Sequence, residues 1–343
     1  MQFKYTFPAV KGIQAGKEYY ISMVPLKILS KLFPSNEDVV LPEYRAQRKI
    51  NESRIPEIKN YILENLDNYV FSALSASIDG NFEFDSFNNS NVGELNIDMD
   101  SVFLINDGQH RKAAIEAALQ ENNDLGEETI SIVFFKDMGL KRSQQMFTDL
   151  NKHAVKTSNS LSTLYDFRDE IAKATRETIN KVPFFKQYTD KERDILGKNS
   201  SKLFTLTTLY KSNQRILHGT SCTSVDIDFL INYWNNVCIN IYEWNELLKK
   251  EITKRDLKEN YIITLAVTIQ AFGKLGRRFY DDRSLNMIEI LKGLKNINWS
   301  REGEEWIGIT IRENGKVLAS EEAINLTSRK IEELLFINEV EEG

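Results

Sequence analysis

Phe103-Leu104-Ile105-Asn106-Asp107-Gly108-Gln109-His110-Arg111-Lys112-Ala113-Ala114-Ile115 is the stretch on which the fold turns. Phe103, Leu104 and Ile105 form an apolar run suited to a strand. Ala113, Ala114, Ala117, Ala118 and Leu119 supply helix formers just beyond it. Between the two lies a polar turn with Gly108, a residue that lets the backbone turn sharply and lets a ligand approach closely. The first amide N–H groups of such a helix have no partner within it, and the helix dipole places positive charge there. His110 and Arg111 add side-chain donors at the same point. Asp107, Gly108, Gln109, His110 and Arg111 are therefore a candidate cradle for a phosphate or another oxyanion. Asp107 has three open roles: capping the helix, orienting Arg111, or holding a metal beside a nucleotide. The same residues also allow a purely structural junction, in which Asp107 caps, Gly108 turns, and His110 and Arg111 pair with nearby carboxylates.

Upstream, Tyr19–Val24 reads as a strand entering Pro25, and Leu26–Phe33 as a short helix. Ser53 is placed to cap a helix in which Ile55, Ile58, Tyr61, Ile62 and Leu66 recur at helical spacing. Val70–Ile78 reads as a strand stopped by Asp79-Gly80. Leu95–Met99 alternates as a half-buried strand does, and Ser101–Ile105 and Ile130–Phe135 are further strands. From about residue 156 the strand signals fade. Helical patterns cover Ser160–Val182, Leu203–Gly219, Val225–Leu248, Leu257–Phe279 and Leu285–Ile297, with Trp234, Tyr242 and Trp244 expected in their core. Trp306–Ile311 suits a strand and Glu321–Leu335 a helix. The expected architecture is α+β over residues 1–155, a mainly α-helical domain over 156–300, and a small C-terminal extension over 301–343.

The 343 residues are 41% hydrophobic and 27% charged, the balance of globular domains rather than of a disordered chain. The net charge of −6 argues against indiscriminate coating of nucleic acid, but its distribution is uneven. Residues 1–60 carry +4, residues 61–130 carry −12, and residues 131–220 carry +7. A polyanion can find basic ground on the first and third of these segments. The plainer reading scatters those charges over solvated surface. Cys222 and Cys238 match no zinc spacing, and reduced thiols are expected. His218 stands too isolated to join Cys222 in a metal site, and no metal site is expected. Met1–Pro8 does not resemble a signal peptide, and no run reaches the roughly 18 apolar residues that cross a bilayer. A cytoplasmic protein without membrane contact is the expectation.

Two basic groups are candidates for DNA contact. Arg45, Gln47, Arg48 and Lys49, with Arg54, suit DNA phosphates or closure of the anion site, and Gln47 and Arg48 can in principle read base edges, while the plainer reading is a basic, solvated loop. Asn151, Lys152, His153 and Lys156 follow the helical pattern Leu140–Leu150 and suit a ligand or the backbone equally. Phe272–Arg278 carries Gly273-Lys274 and Gly276 without Walker spacing and without a preceding strand, so a helix kink or close helix contact is expected there.

Asp107–Arg111 spells D-G-Q-H-R, and the chain thereby resembles the DGQHR-domain family. Three further stretches resemble the DndB family of DNA sulfur (phosphorothioate) modification in particular. They are Tyr44–Lys49 leading to Arg54–Ile58, then Tyr69–Gly80, then Met146–Val155 with Ser160–Ser162 and Leu164–Asp166. Their order and spacing match over roughly residues 1–170; the helical remainder has weaker motifs. The resemblance implies a fold similar to the ParB/sulfiredoxin superfamily, which binds nucleotide phosphates or DNA. Sulfiredoxin carries Gly-Cys-His-Arg where this chain has Gly108-Gln109-His110-Arg111. Gln109 has no thiol, so the redox step is lost while anion binding can persist. The family resemblance further implies a DNA-binding, negative transcriptional regulator of a modification gene cluster. Its partners would be double-stranded DNA and other proteins of the modification system. Two alternatives stand beside it: a nucleoside triphosphatase using ATP or CTP with Mg2+, and a recognition subunit without activity of its own. No complete catalytic set is visible, since His110, His153 and His218 lie far apart in sequence.

Overall fold

The computed structural model describes residues 3–34, 51–137, 139–152, 157–197, 199–219 and 222–341. The chain divides into two compact units, Met1–Val155 and Lys156–Gly343. Mixed α and β structure fills the first, and the second is nearly all helix.

The first unit is a seven-stranded sheet with helices against it. Its strands are β1 (Lys4–Gln14), β2 (Lys17–Pro25), β3 (Leu74–Asp79), β4 (Phe82–Ser86), β5 (Val92–Asp98), β6 (Val102–Asp107) and β7 (Thr129–Lys136). The order across the sheet is β4-β5-β1-β2-β7-β3-β6. Only β3 and β7 run parallel; every other neighbouring pair is antiparallel. Two connections force the sheet to curl. Gly80-Asn81 alone joins β3 to β4, and residues 99–101 join β5 to β6, although each pair lies far apart in the order. The Tyr5 ring of β1 and the Phe103 ring of β6, four strands apart in the order, meet edge to face at 6.3 Å. A flat sheet cannot make this contact; a partly rolled one can.

Alternation decides which side chains fill the roll. Phe7, Tyr20, Val24, Leu74, Ile78, Leu95, Ile97, Phe103, Ile105, Ile132 and Phe134 are all buried on the inner face. They meet Leu29 and Leu32 of α1 (Leu29–Leu32), Ile62 of α2 (Ile55–Leu63), and Ile115 and Ala118 of α3 (Gln109–Glu121). On the other face, α4 (Leu140–Lys152) packs against β6, where the Asn106 side-chain amide donates to Ser77 Oγ at 2.7 Å. Each fully buried side chain of this size contributes about 1.5–3 kcal/mol by transfer from water.

Local details differ from the sequence reading in instructive ways. Ser53 is not the cap. The Asn51 side chain accepts from the Ser53 amide and hydroxyl, a short 3-10 turn over Glu52–Arg54 follows, and α2 starts at Ile55 without a side-chain cap. Leu66 falls beyond α2 and is exposed. The strand expected from Val70 begins only at Leu74. Between β1 and β2, Ala15 and Gly16 both have positive φ, 51° and 71°, as a two-residue type I′ turn requires. Alanine is strained there, so Ala15→Asn is expected to stabilise the first unit by about 0.5–1 kcal/mol. A rise in its urea midpoint with unchanged slope is the readout. A lower midpoint would show that the turn does not limit stability.

The second unit is built from α5 (Asn159–Tyr165), α6 (Glu170–Lys181), α7 (Pro183–Tyr188), α8 (Leu206–Leu217), α9 (Ser224–Asn240), α10 (Tyr242–Lys249), α11 (Lys254–Asn260), α12 (Ala266–Asp281), α13 (Met287–Leu291) and α14 (Glu321–Glu341). Two-residue strands β8 (Thr189–Asp190) and β9 (Phe204–Thr205) pair in parallel. Trp234, Trp244, Trp299 and Trp306 are fully buried, with Phe184 stacked on Trp244 at 4.8 Å and Trp299 on Trp306 at 5.5 Å. Tyr242, expected beside Trp244 in the core, is 57% exposed. The long helical patterns break where polar side chains cap new helices: Asp169 caps α6, Thr205 caps α8 and Thr253 caps α11. Gly273 and Gly276 of α12 are close-contact positions. A β-carbon at 273 would lie 2.6 Å from the Ser212 carbonyl oxygen of α8, and one at 276 would lie 2.9 Å from the Tyr233 ring. Trp306–Ile311 is not a strand but a 3-10 turn followed by isolated bridges, and it packs into the same core as α9 and α12. The helix foreseen at Glu321–Leu335 extends to Glu341, and Arg215 and Lys274 both pair with Glu321 at its start. No described helix is long and apolar enough to cross a membrane.

Candidate functional site

β6 delivers Asp107 to the end of the sheet, and α3 leaves from it. Gly108 occupies the N-cap position with φ 103° and ψ 15°, and no side chain caps the helix. Asp107 therefore does not cap α3. Its carboxylate instead accepts from Arg111 Nη2 at 2.5 Å, one helical turn on. The other guanidinium nitrogen, Nη1, donates to the Ser72 carbonyl at 2.6 Å, the Ser72 hydroxyl at 2.5 Å and the Ala73 carbonyl at 2.9 Å. Arg111 thus clamps the entry of β3 to the junction between β6 and α3. Fork geometry suits it for this task, because one planar group serves four acceptors in fixed directions.

His110 reaches the other way. Its Nε2 accepts from the Asn51 amide at 3.0 Å, which ties the chain ahead of α2 to the start of α3. The Tyr61 hydroxyl accepts from the Val70 amide at 2.9 Å and holds the approach to β3. Near the far end of α3, Lys59 of α2 forms a close ion pair with Glu121. Lys112 lies buried against Glu116 at 2.7 Å.

These elements enclose a cleft of about 490 Å3 lined by Arg54, Glu57, Ile58, Tyr61, Phe71, Asp107, Gly108, His110 and Arg111. Five of the sequence-derived candidates therefore come together: Arg54, Asp107, Gly108, His110 and Arg111. Gln109 does not line the cleft; its Nε2 is buried without a protein partner. Asn106 Oδ1 on the preceding strand is likewise buried without one. A donor and an acceptor of this kind are expensive to leave unpaired, but neither residue lines the cleft.

The charges in the lining cancel, with Arg54 and Arg111 set against Glu57 and Asp107. Arg111 and Asp107 neutralise each other directly. Among the described residues Arg54 has no carboxylate within ion-pair distance, so it is the cation the cleft can offer to a guest. The remaining attraction for an anion comes from the uncapped N-terminus of α3, with its amide N–H groups and dipole.

Arg45, Gln47, Arg48 and Lys49 lie outside the described residues, as do His153 and Lys156. Asn151 and Lys152 form the last two positions of α4. Asn51, Glu57, Tyr61, Phe71, Ser72 and Ala73 belong to the cleft or its clamp, and sequence reasoning did not single them out individually. The segment Tyr69–Gly80 was the available signal, since Phe71, Ser72 and Ala73 fall within it. Among the described residues no group of three His, Cys, Asp or Glu side chains is arranged to hold a metal. Cys222 and Cys238 are free thiols, and burial raises the pKa of both, that of Cys222 to about 11.

No curated protein and no solved structure matches the chain. The family model DndB, described as DNA-sulfur modification-associated, matches residues 7–338. That match runs through both units and across the Asp107–Arg111 junction, and the chain belongs to the DndB family, a family associated with DNA sulfur modification.

Proposed function

We propose that this chain binds double-stranded DNA and acts as a negative regulator of the gene cluster for DNA phosphorothioate modification, holding a backbone phosphate in the cleft at the start of α3. The uncapped N-terminus of α3, opening beside the Arg54 guanidinium, is the observation that carries the reading. Family membership supports the setting in DNA sulfur modification. A relationship of the first unit to the ParB/sulfiredoxin superfamily belongs to the same reading, supported by the strand–glycine–helix junction. Its phosphate-facing role falls to the α3 amides and Arg54, because Arg111 is committed to Ser72, Ala73 and Asp107. Hydrolysis of ATP or CTP draws no support from the same geometry, since the Asp107 carboxylate already engages Arg111. Bound nucleotide without hydrolysis is compatible with a cleft of about 490 Å3.

The test is fluorescence anisotropy with the duplex upstream of the modification genes, over a range of salt. Affinity is expected to fall linearly with log salt concentration, because phosphate contacts release counterions. Arg54→Ala is expected to weaken binding on all sequences alike and to reduce the salt slope by about one. A promoter reporter should rise when the gene is deleted. Absence of duplex binding at about 50 mM salt, where phosphate-driven association is strong, defeats the proposal.

A further inference from the structure

The larger cleft of the first unit, about 850 Å3, lies elsewhere: at the mouth of the rolled sheet. Its lip is made by the β1–β2 hairpin at Gln14–Lys17, the β3–β4 turn at Gly80-Asn81, the end of β7, and one side of α4. β3 and β7 are parallel, and β6 is antiparallel to β3. The mouth therefore sits where β3 and β7 end, whereas Asp107 pairs with Ser75 near the start of β3. The two clefts share no lining residue.

Three features describe what this mouth can hold. First, aromatic surface is arranged in fixed pairs. Phe82 meets Tyr20 edge to face at 5.7 Å, and Phe135 stacks on Tyr19 at 5.8 Å. Second, Lys17, Lys136 and Arg142 stand around it, exposed, and none has a carboxylate partner among the described residues. Third, the two carboxylates present are already engaged. Glu18 accepts from Tyr20 and Lys11, which together hold its pKa below the usual range, and Asp149 accepts from Gln145 at 2.6 Å. The uncommitted charge at the mouth is positive, unlike the balanced cleft at α3.

A partly exposed aromatic ring beside free cations fits a group that is flat and aromatic at one end and anionic at the other. Bases stack on aromatic rings regardless of sequence, and phosphates are drawn to Lys and Arg. The volume falls in the range of small-molecule sites, and mouths of barrels are a common place for them. We propose that the mouth binds a nucleotide unit, its base against Phe135 and its phosphate among Lys17, Lys136 and Arg142. The unit is either a free nucleoside phosphate or one residue of a single DNA strand. The site does not depend on duplex binding at α3.

The experiment uses the full chain, with fluorescein-labelled oligothymidylate in one arm and ATP or CTP titrated calorimetrically in the other. Saturable binding in either arm is expected, and the arm that responds identifies the source of the nucleotide. The double variant Lys136→Glu/Arg142→Glu is expected to lose at least tenfold in affinity. Both positions are exposed, and an unchanged circular dichroism spectrum and melting point confirm the fold. Phe135→Leu keeps the bulk but removes the ring, and should weaken binding severalfold. Binding by neither probe, or wild-type affinity in the double variant, overturns the proposal.

Discussion

Replacing Arg111 by alanine is expected to destabilise the first unit by about 2–4 kcal/mol, because it leaves a carboxylate and two backbone carbonyls without their donor. The Arg111 side chain is only 16% exposed, and it joins Ser72, Ala73 and Asp107. The value stays below that of a fully buried ion pair because Asp107 is 41% exposed and water can solvate it. Arg111→Lys should recover little, since one ammonium cannot reproduce a planar fork aimed at four acceptors. Asp107→Asn should cost less than Arg111→Ala, because the guanidinium keeps its three bonds to Ser72 and Ala73. The urea midpoint measures the loss, and hydrogen exchange localises it. Amides at the entry to β3 and in the first turn of α3 should exchange faster, while those of β1 and β2 should not. If Arg111→Ala unfolds at the wild-type midpoint, Arg111 is not a clamp, and its role as a donor to a bound anion returns to the front.

The junction was legible because its parts are local. An apolar run, a glycine and a run of alanines specify strand, turn and helix within thirteen residues, and β6, Gly108 and α3 follow in that order. The partners of Arg111 were not legible, because Ser72 lies 39 residues away and comes into reach only when β3 pairs with β6. β1 was missed for a similar reason. Pro8 interrupts it and ordinarily argues against a strand between two neighbours. Here the pairing with β2 begins only at Ala9, so Pro8 has β5 on one side and needs no second ladder bond. The curl of the sheet was equally hidden, since it follows from the strand order and not from any one strand. In the second unit the apolar period marked helices but not their ends. Ser160–Val182 keeps a helical pattern across Asp166–Asp169, where α5 stops and Asp169 caps α6. Tyr242 faces water while Trp244, two residues on in the same helix α10, is buried, because positions two apart lie on opposite sides of a helix.

Gly108→Val is expected to have the largest effect of any single change at the site, and its two causes can be separated. One is backbone strain: φ is 103°, a region that β-branched residues essentially do not adopt. The other is space: an added β-carbon would lie 2.3 Å from Leu74 Cδ2 and 3.2 Å from Arg111 Nη2. Strain contributes roughly 1–3 kcal/mol and overpacking a similar amount, so the loss should be roughly 2–5 kcal/mol in all. Gly139 is the control, with φ 93° and nothing within 4 Å of the position its β-carbon would take. Gly139→Val should show the strain alone and lose about 1–3 kcal/mol. The difference between the two variants then measures how tightly the start of α3 is held against Leu74. A second readout follows from the geometry. Displacing the Arg111 guanidinium and rotating the first amides of α3 should weaken phosphate and duplex binding in Gly108→Val by more than the shift in stability alone predicts, even at temperatures where the variant is folded. Gly139→Val should bind as wild type does. Equal destabilisation by the two variants, with anion binding intact in both, would mean that Gly108 serves only to turn the chain, and that the cleft beside it is not where this protein meets phosphate.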